Sequence, residues 1–125
     1  AVRDLSGGRG VDVAFEAVGA TETIEASVKM IGAGGAAVIA GQVGLGVKAT
    51  FDPLALSDNE KRIVGSTYGS SVPPVDFNTM ARLAVAGHLD IGMLVTRRIA
   101  LAGVNDGLAS LRDAAGIRTV IDYDL

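Results

Sequence analysis

Two apolar runs with the spacing of buried strands, joined by one amphipathic helix, constrain the fold of this chain more than any other feature. Over residues 11–18, Val11, Val13, Phe15 and Ala17 share one face at a period of two, and Ala14 and Val18 are apolar on the other. Apolar side chains on both faces suit an inner strand of a parallel sheet. Thr21 then offers an N-cap, and Glu22 and Glu25 put negative charge where the helix dipole favours it. Ile24, Val28 and Ile31 recur at helical spacing, Lys29 falls in the last turn, and Gly32 supplies the stop. Residues 32–35 read as a turn and 36–40 as a second short apolar strand. Strand, helix and strand in that order predict parallel pairing with a right-handed crossover. The class is therefore α/β.

The rest of the chain is more broken. Residues 41–46 are a glycine-rich loop, 47–51 an extended edge segment, and 52–59 hold one helical turn after Pro53. A third strand is predicted over 63–68, ended by Gly69. Residues 70–74 read as a loop, because Pro73 and Pro74 disfavour regular structure. Asp76 is expected to cap a helix reaching about residue 86, with Met80, Leu83 and Ala84 inward and Gly87 as the stop. A strand follows over 94–99, then a helix marked by Val104, Leu108 and Leu111, then a final strand over 117–123. Gly107 inside that last helix should weaken it by about 1 kcal/mol relative to Ala. The change in texture at Tyr68 and Gly69 marks a candidate boundary, giving domains 1–68 and 69–125.

Composition narrows the function classes. Of 125 residues, 49% are hydrophobic and only 20% are charged, which supplies a core and argues against disorder. The 17 glycines let helices sit close to a sheet. A net charge of −3 exerts no strong pull on nucleic acid or an anionic membrane. No apolar run nears the roughly 20 residues of a membrane span. With no Cys, disulfides and thiolate metal sites are excluded, and the lone His88 cannot hold a structural zinc unless carboxylates supply everything else. The opening residues Ala1, Val2, Arg3 and Asp4 carry no signal pattern, so a cytoplasmic protein is expected. The absent Met leads us to expect that the chain begins within a longer protein.

Residues 32–37 and 44–49 both fit the glycine fingerprint for dinucleotides as a pattern. The fingerprint works only after a strand and before a helix, where helix N–H groups face the pyrophosphate. Here the first follows a helix and the second precedes an extended segment, so both read as ordinary turns. No hydrolase elbow, P-loop or HExxH occurs. Asp12 and Glu16 share one face of the first strand and are expected to mark a solvated rim. Asp58 and Glu60 read as loop carboxylates, and His88 as an exposed loop residue rather than a catalytic base. By chemistry alone this is a nucleotide-fold segment without a visible active site.

The order of segments resembles the zinc-type medium-chain alcohol dehydrogenases over nearly the whole chain. Gly-Val-Asp-Val-Ala-Phe-Glu-Ala-Val-Gly at 10–19 is similar to that family's fourth coenzyme-domain strand, 34–41 to the fifth, and Lys-Arg-Ile-Val-Gly-Ser-Thr-Tyr-Gly at 61–69 to the sixth. Leu94, Val95 and Thr96, then 104–108, Leu111 and Arg112, and 117–120 resemble the return to the catalytic domain. The resemblance implies the second half of a Rossmann-type parallel sheet followed by the C-terminal return segment of the catalytic domain. It also implies an NAD or NADP cofactor, an alcohol or aldehyde substrate, and a homo-oligomer whose sheets run together across a dimer axis.

The resemblance further implies that Val18 makes an apolar contact on the adenine side. Ala40, Gly41 and Gln42 would stand at the nicotinamide, Ser66 and Tyr68 would bond its carboxamide through backbone groups, and Arg118 would contact the diphosphate and ribose region. It implies no catalytic residue and no metal ligand in this chain, because the family's zinc ligands and its true glycine fingerprint lie on segments not present here. Where the family has a helix-stopping Gly after Leu111 and Arg112, Ala114 stands, and Gly116 comes later. The rival readings are a zinc-free quinone or enoyl reductase of the same superfamily and a non-catalytic, oligomerising remnant. Arg118, Thr119 and Val120, together with the strand at 61–66, favour the alcohol dehydrogenase branch.

Overall fold

A computed structural model describes residues 1–113 and 116–125, which form two compact units, Ala1–Ser71 and Val72–Leu125. The expected departure at Ala114 lies outside the described residues.

The first unit is a three-stranded parallel sheet of order β1-β2-β3, with β1 at Val11–Glu16, β2 at Ile31–Ile39 and β3 at Arg62–Gly65. A short helix α1, Val2–Leu5, precedes it, and α2, Thr21–Met30, crosses from β1 to β2. The buried core is Ala14, Val28, Ile31 and Ala37, with Val11 and Ile39 packed against it. Helix α2 buries Ser27 and Val28 and carries Glu22 in its first turn and Lys29 in its last. Its N-cap is Ala20 rather than Thr21, and the Thr23 hydroxyl oxygen lies 2.9 Å from the Ala20 carbonyl. The inner strand is β2, not β1: β1 lies at one edge, and its Val13 and Phe15 are 47% and 78% exposed. The single packed layer covers only the face carrying Ala14.

Two expectations change between α2 and β3. Residues 32–35 are not a free turn. Ile31 already pairs with Val11 and is fully buried, and pairing resumes at Val13 with Ala36, so Asp12 opposes residues 32–35 in a wide bulge. Their small side chains allow the bulge, and the Gly34 N–H donates to the Asn59 carbonyl at 2.7 Å. Residues 47–51 pair with no strand among the described residues; instead the Thr50 N–H and hydroxyl both donate to Glu25. Helix α3, Pro53–Asp58, starts as the sequence predicts, with Asp52 accepting from the Leu54 and Ala55 N–H groups.

In the second unit α4, Pro73–Val85, begins at the two prolines thought to exclude it. The first helical positions need no N–H donor, so proline is tolerated there. Asp76 does not stand at the cap; its carboxylate reaches back to the Val72 N–H at 2.5 Å. Met80 and Leu83, expected inward, are 42% and 41% exposed. Strands β4, Val95–Ile99, and β5, Arg118–Ile121, pair in parallel around helix α5, Val104–Arg112. Gly107 is the buried residue of α5, and a Cβ there would stand 2.7 Å from Ile99 Cδ1. The helix therefore trades propensity at this position for close approach to the sheet, while Leu108 and Leu111 stay exposed.

Candidate cofactor-binding site

The carboxyl ends of β1 and β2 are tied together by one residue. Glu16, the last residue of β1, is 3% exposed. Its Oε1 accepts from the Val18 N–H at 2.8 Å, the Gly19 N–H at 2.9 Å and the Thr23 hydroxyl at 2.8 Å. Its backbone carbonyl accepts from the Ala40 N–H at 2.8 Å and the Gly41 N–H at 3.0 Å. The side chain thus fixes the turn after β1 and the main chain fixes the turn after β2. This corrects the expectation of a solvated rim for Glu16, though Asp12 is exposed as expected. The turn that follows β1 folds its N–H groups back over the carboxylate and closes it off.

The two turns also touch. Gly19 has φ +80°, and a Cβ there would collide with the Gln42 carbonyl. A Cβ on Gly41 would collide with the Gly19 nitrogen and lie 2.6 Å from Glu16 Oε2. Only glycine permits this approach.

Burial by itself would raise the Glu16 carboxyl, but the Gly19 N–H, the Thr23 hydroxyl and the Val18 N–H stabilise the anion and hold it below the ordinary carboxylate value. Glu25 is lowered too, by the Thr50 N–H and the Thr50 hydroxyl, with burial opposing and Lys29 assisting. A carboxylate depressed in the folded state contributes stability that is complete above its unfolded pKa and lost as pH falls through its folded one. The first unit is therefore expected to lose stability as pH drops through 4.5 toward the lowered values. Urea midpoints measured across that range should fall less steeply for a Glu16→Gln, Glu25→Gln double variant. An identical slope in the two proteins would count against these hydrogen bonds.

Ala40, Gln42, Tyr68 and Gly69 line a cavity of about 230 Å³ at the carboxyl ends of β2 and β3. Ser66 leads into it, its N–H donating to the Ile39 carbonyl at 2.9 Å and its hydroxyl 3.2 Å from that of Ser70. Tyr68, Gly69 and Ser70 follow with φ of 50°, 67° and 57°. For Tyr and Ser this left-handed backbone costs on the order of 1–3 kcal/mol each, and such strain clusters at ligand clamps. Larger cavities, of about 380 and 890 Å³, lie away from these strand ends, and no buried charged side chain lines either.

The structure brings Ala40, Gln42 and Tyr68 together, with Gly41 and Ser66 beside them. Val18 stands at the end of β1, 74% exposed and outside this cavity. Arg118 belongs to the second unit, where it opens β5 with an exposed side chain. The Thr96 hydroxyl accepts from the Ile117 and Arg118 N–H groups at 3.0 and 3.3 Å and fixes the backbone at that point. Sequence reasoning missed the roles of Glu16, Thr23, Gly69 and Thr96. The available signal was an acid inside an apolar strand three residues before Gly19.

A cavity of this size takes a ring-sized group rather than a whole dinucleotide. Arg118, in the second unit, carries a forked, permanently charged guanidinium. Zinc does not fit. Among the described residues no cluster of three or more His, Cys, Asp or Glu could hold a metal. Nor is any described helix long and apolar enough to cross a membrane.

The chain matches the model of a family described as zinc-binding dehydrogenase over residues 1–86. It is 35% identical over 125 residues to the NDMA-dependent alcohol dehydrogenase of Amycolatopsis methanolica, a match covering 96% of this chain and 33% of that protein. Among solved structures, benzyl alcohol dehydrogenase from Acinetobacter calcoaceticus superposes with a TM-score of 0.85 at 27% identity, covering 96% of this chain and 33% of that one. A structure from Sinorhizobium meliloti, solved bound to NADP, superposes with a TM-score of 0.70 at 32% identity over 81% of this chain and 28% of its own. The chain thus spans about a third of the length of the curated relatives it matches.

Proposed function

We propose, from the premise that this chain belongs to the zinc-binding dehydrogenase family, that it forms part of the cofactor wall of an NAD(P)-dependent alcohol dehydrogenase about three times its length. The observation that carries this reading is the cavity lined by Ala40, Gln42, Tyr68 and Gly69 at the carboxyl ends of parallel strands. Ligands of open α/β sheets bind at those ends. The first unit is read as the later half of a Rossmann-type domain, and the second as a segment of the catalytic domain.

In this reading Ala40, Gly41 and Gln42 border the nicotinamide. Backbone groups of Ser66 and Tyr68 bond its carboxamide, Val18 offers an apolar surface to the adenine side, and Arg118 pairs with the diphosphate. When bound, the cofactor supplies a nicotinamide carbon that accepts or donates hydride. This chain's residues orient the ring and keep water from one side of it. The zinc belongs to residues elsewhere in the whole protein, and an alcohol or aldehyde is the substrate class. The exposed Val13 and Phe15 and the unpaired edge of β1 supply an apolar flank that further strands and helices would cover. The outer edge of β3 is where a second copy would extend the sheet, giving a homo-oligomer.

The test compares the 125-residue chain with the full-length protein that carries it. The chain alone should hold no stoichiometric zinc and show no alcohol-dependent reduction of NAD or NADP. The full-length protein should do both, read by metal analysis and by absorbance of the reduced cofactor. One tightly held zinc in the chain alone, or no nicotinamide cofactor binding by the full-length protein, would overturn the reading.

A further inference from the structure

We propose that Glu16 is a positioning residue that sets the two cofactor-facing turns against each other and, by its charge, favours the oxidised nicotinamide ring over the reduced one. The inference rests on the reading above that residues 40–42 border the nicotinamide. Three observations carry it. Glu16 hydrogen-bonds to both turns, holding Val18 and Gly19 through Oε1 and Ala40 and Gly41 through its carbonyl. Its other oxygen, Oε2, is buried and has no hydrogen-bond partner among the described residues. That same oxygen lies directly behind Gly41, within 2.6 Å of where a Cβ would stand.

A brace alone has no use for the unpartnered oxygen. Buried polar atoms are almost always hydrogen-bonded, and a charged one without a partner is costly. The hydrogen bonds to Oε1 favour the anion, so the charge stays behind the wall at neutral pH. The ring of the oxidised cofactor carries a positive charge and that of the reduced cofactor does not. A fixed negative charge behind Gly41 therefore stabilises the oxidised form selectively, and the effect is stronger in protein than in water. Among the described residues, the Thr23 hydroxyl, from α2, and the Val18 and Gly19 N–H groups are the polar groups hydrogen-bonded to this carboxylate.

The experiment measures dissociation constants for the oxidised and reduced cofactor in the full-length protein. Glu16→Gln keeps the shape and an acceptor but removes the charge. It should weaken both cofactors and weaken the oxidised one about three- to tenfold more, a size expected of one charge at protein dielectric. Thr23→Val keeps the charge and removes one brace donor. It should weaken both forms equally and leave their ratio unchanged, so the proposal stays testable even if Glu16→Gln folds poorly. Equal losses for both forms in Glu16→Gln, or no loss in Thr23→Val, would overturn the proposal. If Arg118→Ala weakens cofactor binding while both of these variants bind normally, only this inference falls. If the full-length protein binds no nicotinamide cofactor at all, the cofactor-wall reading itself fails.

Discussion

Gly19→Ala should destabilise the first unit by roughly 2–5 kcal/mol, combining the cost of a left-handed backbone for alanine with that of overpacking. Gly19 has φ +80°, and its new Cβ would meet the main chain at Gln42, not a side-chain tip that could swing aside. Gly41→Ala meets the Gly19 nitrogen and Glu16 Oε2 in the same way and should cost about 1–3 kcal/mol or more. Two control glycines separate the causes. At Gly46 the φ is +85° with nothing within 4 Å, so alanine there should cost only the conformational part, about 1–2 kcal/mol. At Gly65, with open space and no positive φ, alanine should be close to neutral. Urea denaturation of the four variants checks the order. Gly19→Ala no worse than Gly46→Ala would show that the two turns do not touch as described.

Arg118→Ala in the full-length protein should weaken NAD(P) binding by about 1.5–3 kcal/mol, the range for a hydrogen bond to a charged group. The guanidinium is exposed, and among the described residues it forms no ion pair. Arg118→Lys should recover only part of the loss, because a point charge replaces a planar fork of donors. Binding of an apolar alcohol should change little. A cofactor dissociation constant unchanged in Arg118→Ala would show that another group grips the diphosphate.

The sequence made the first strand–helix–strand unit legible because its two periods are clean. Alternation over 11–18 and the spacing of Ile24 and Val28 correspond to β1 and α2 within two residues at each end, while Ile31, read as the next helical position, instead opens β2. The bulge at 32–35 was not legible, since glycine and alanine carry no face and four small residues in a row have the composition of a turn. Pro73 and Pro74 signal a loop by composition yet begin α4, because proline forbids a helix interior but suits a helix start. Met80, Leu83, Leu108 and Leu111 follow helical periodicity correctly, yet they are exposed here. Periodicity marks a face for burial without saying which segment covers it.

The site was legible in part. Ala40, Gln42 and Tyr68 meet at one cavity, but the third strand stops at Gly65 rather than reaching Tyr68, and Gln42 and Tyr68 stand in the turns beyond the strand ends. Glu16 was not foreseen, because an acid at the end of a strand looks solvated until the following turn wraps its N–H groups back onto it. That wrapping depends on Gly19 adopting positive φ, which depends in turn on Gly41 lacking a side chain. Three residues from two strand ends must be known together before any one of them is informative.

Hydrogen exchange on the full-length protein, with and without reduced cofactor, tests the central claim most directly. The account predicts slowed exchange at the amides of residues 17–19, 40–42 and 66–69, with little change at Gly8, Arg9 and Asn59 beside the opposite ends of the strands. Cofactor binding that leaves 17–19, 40–42 and 66–69 unprotected, or that protects Gly8, Arg9 and Asn59 instead, would contradict it.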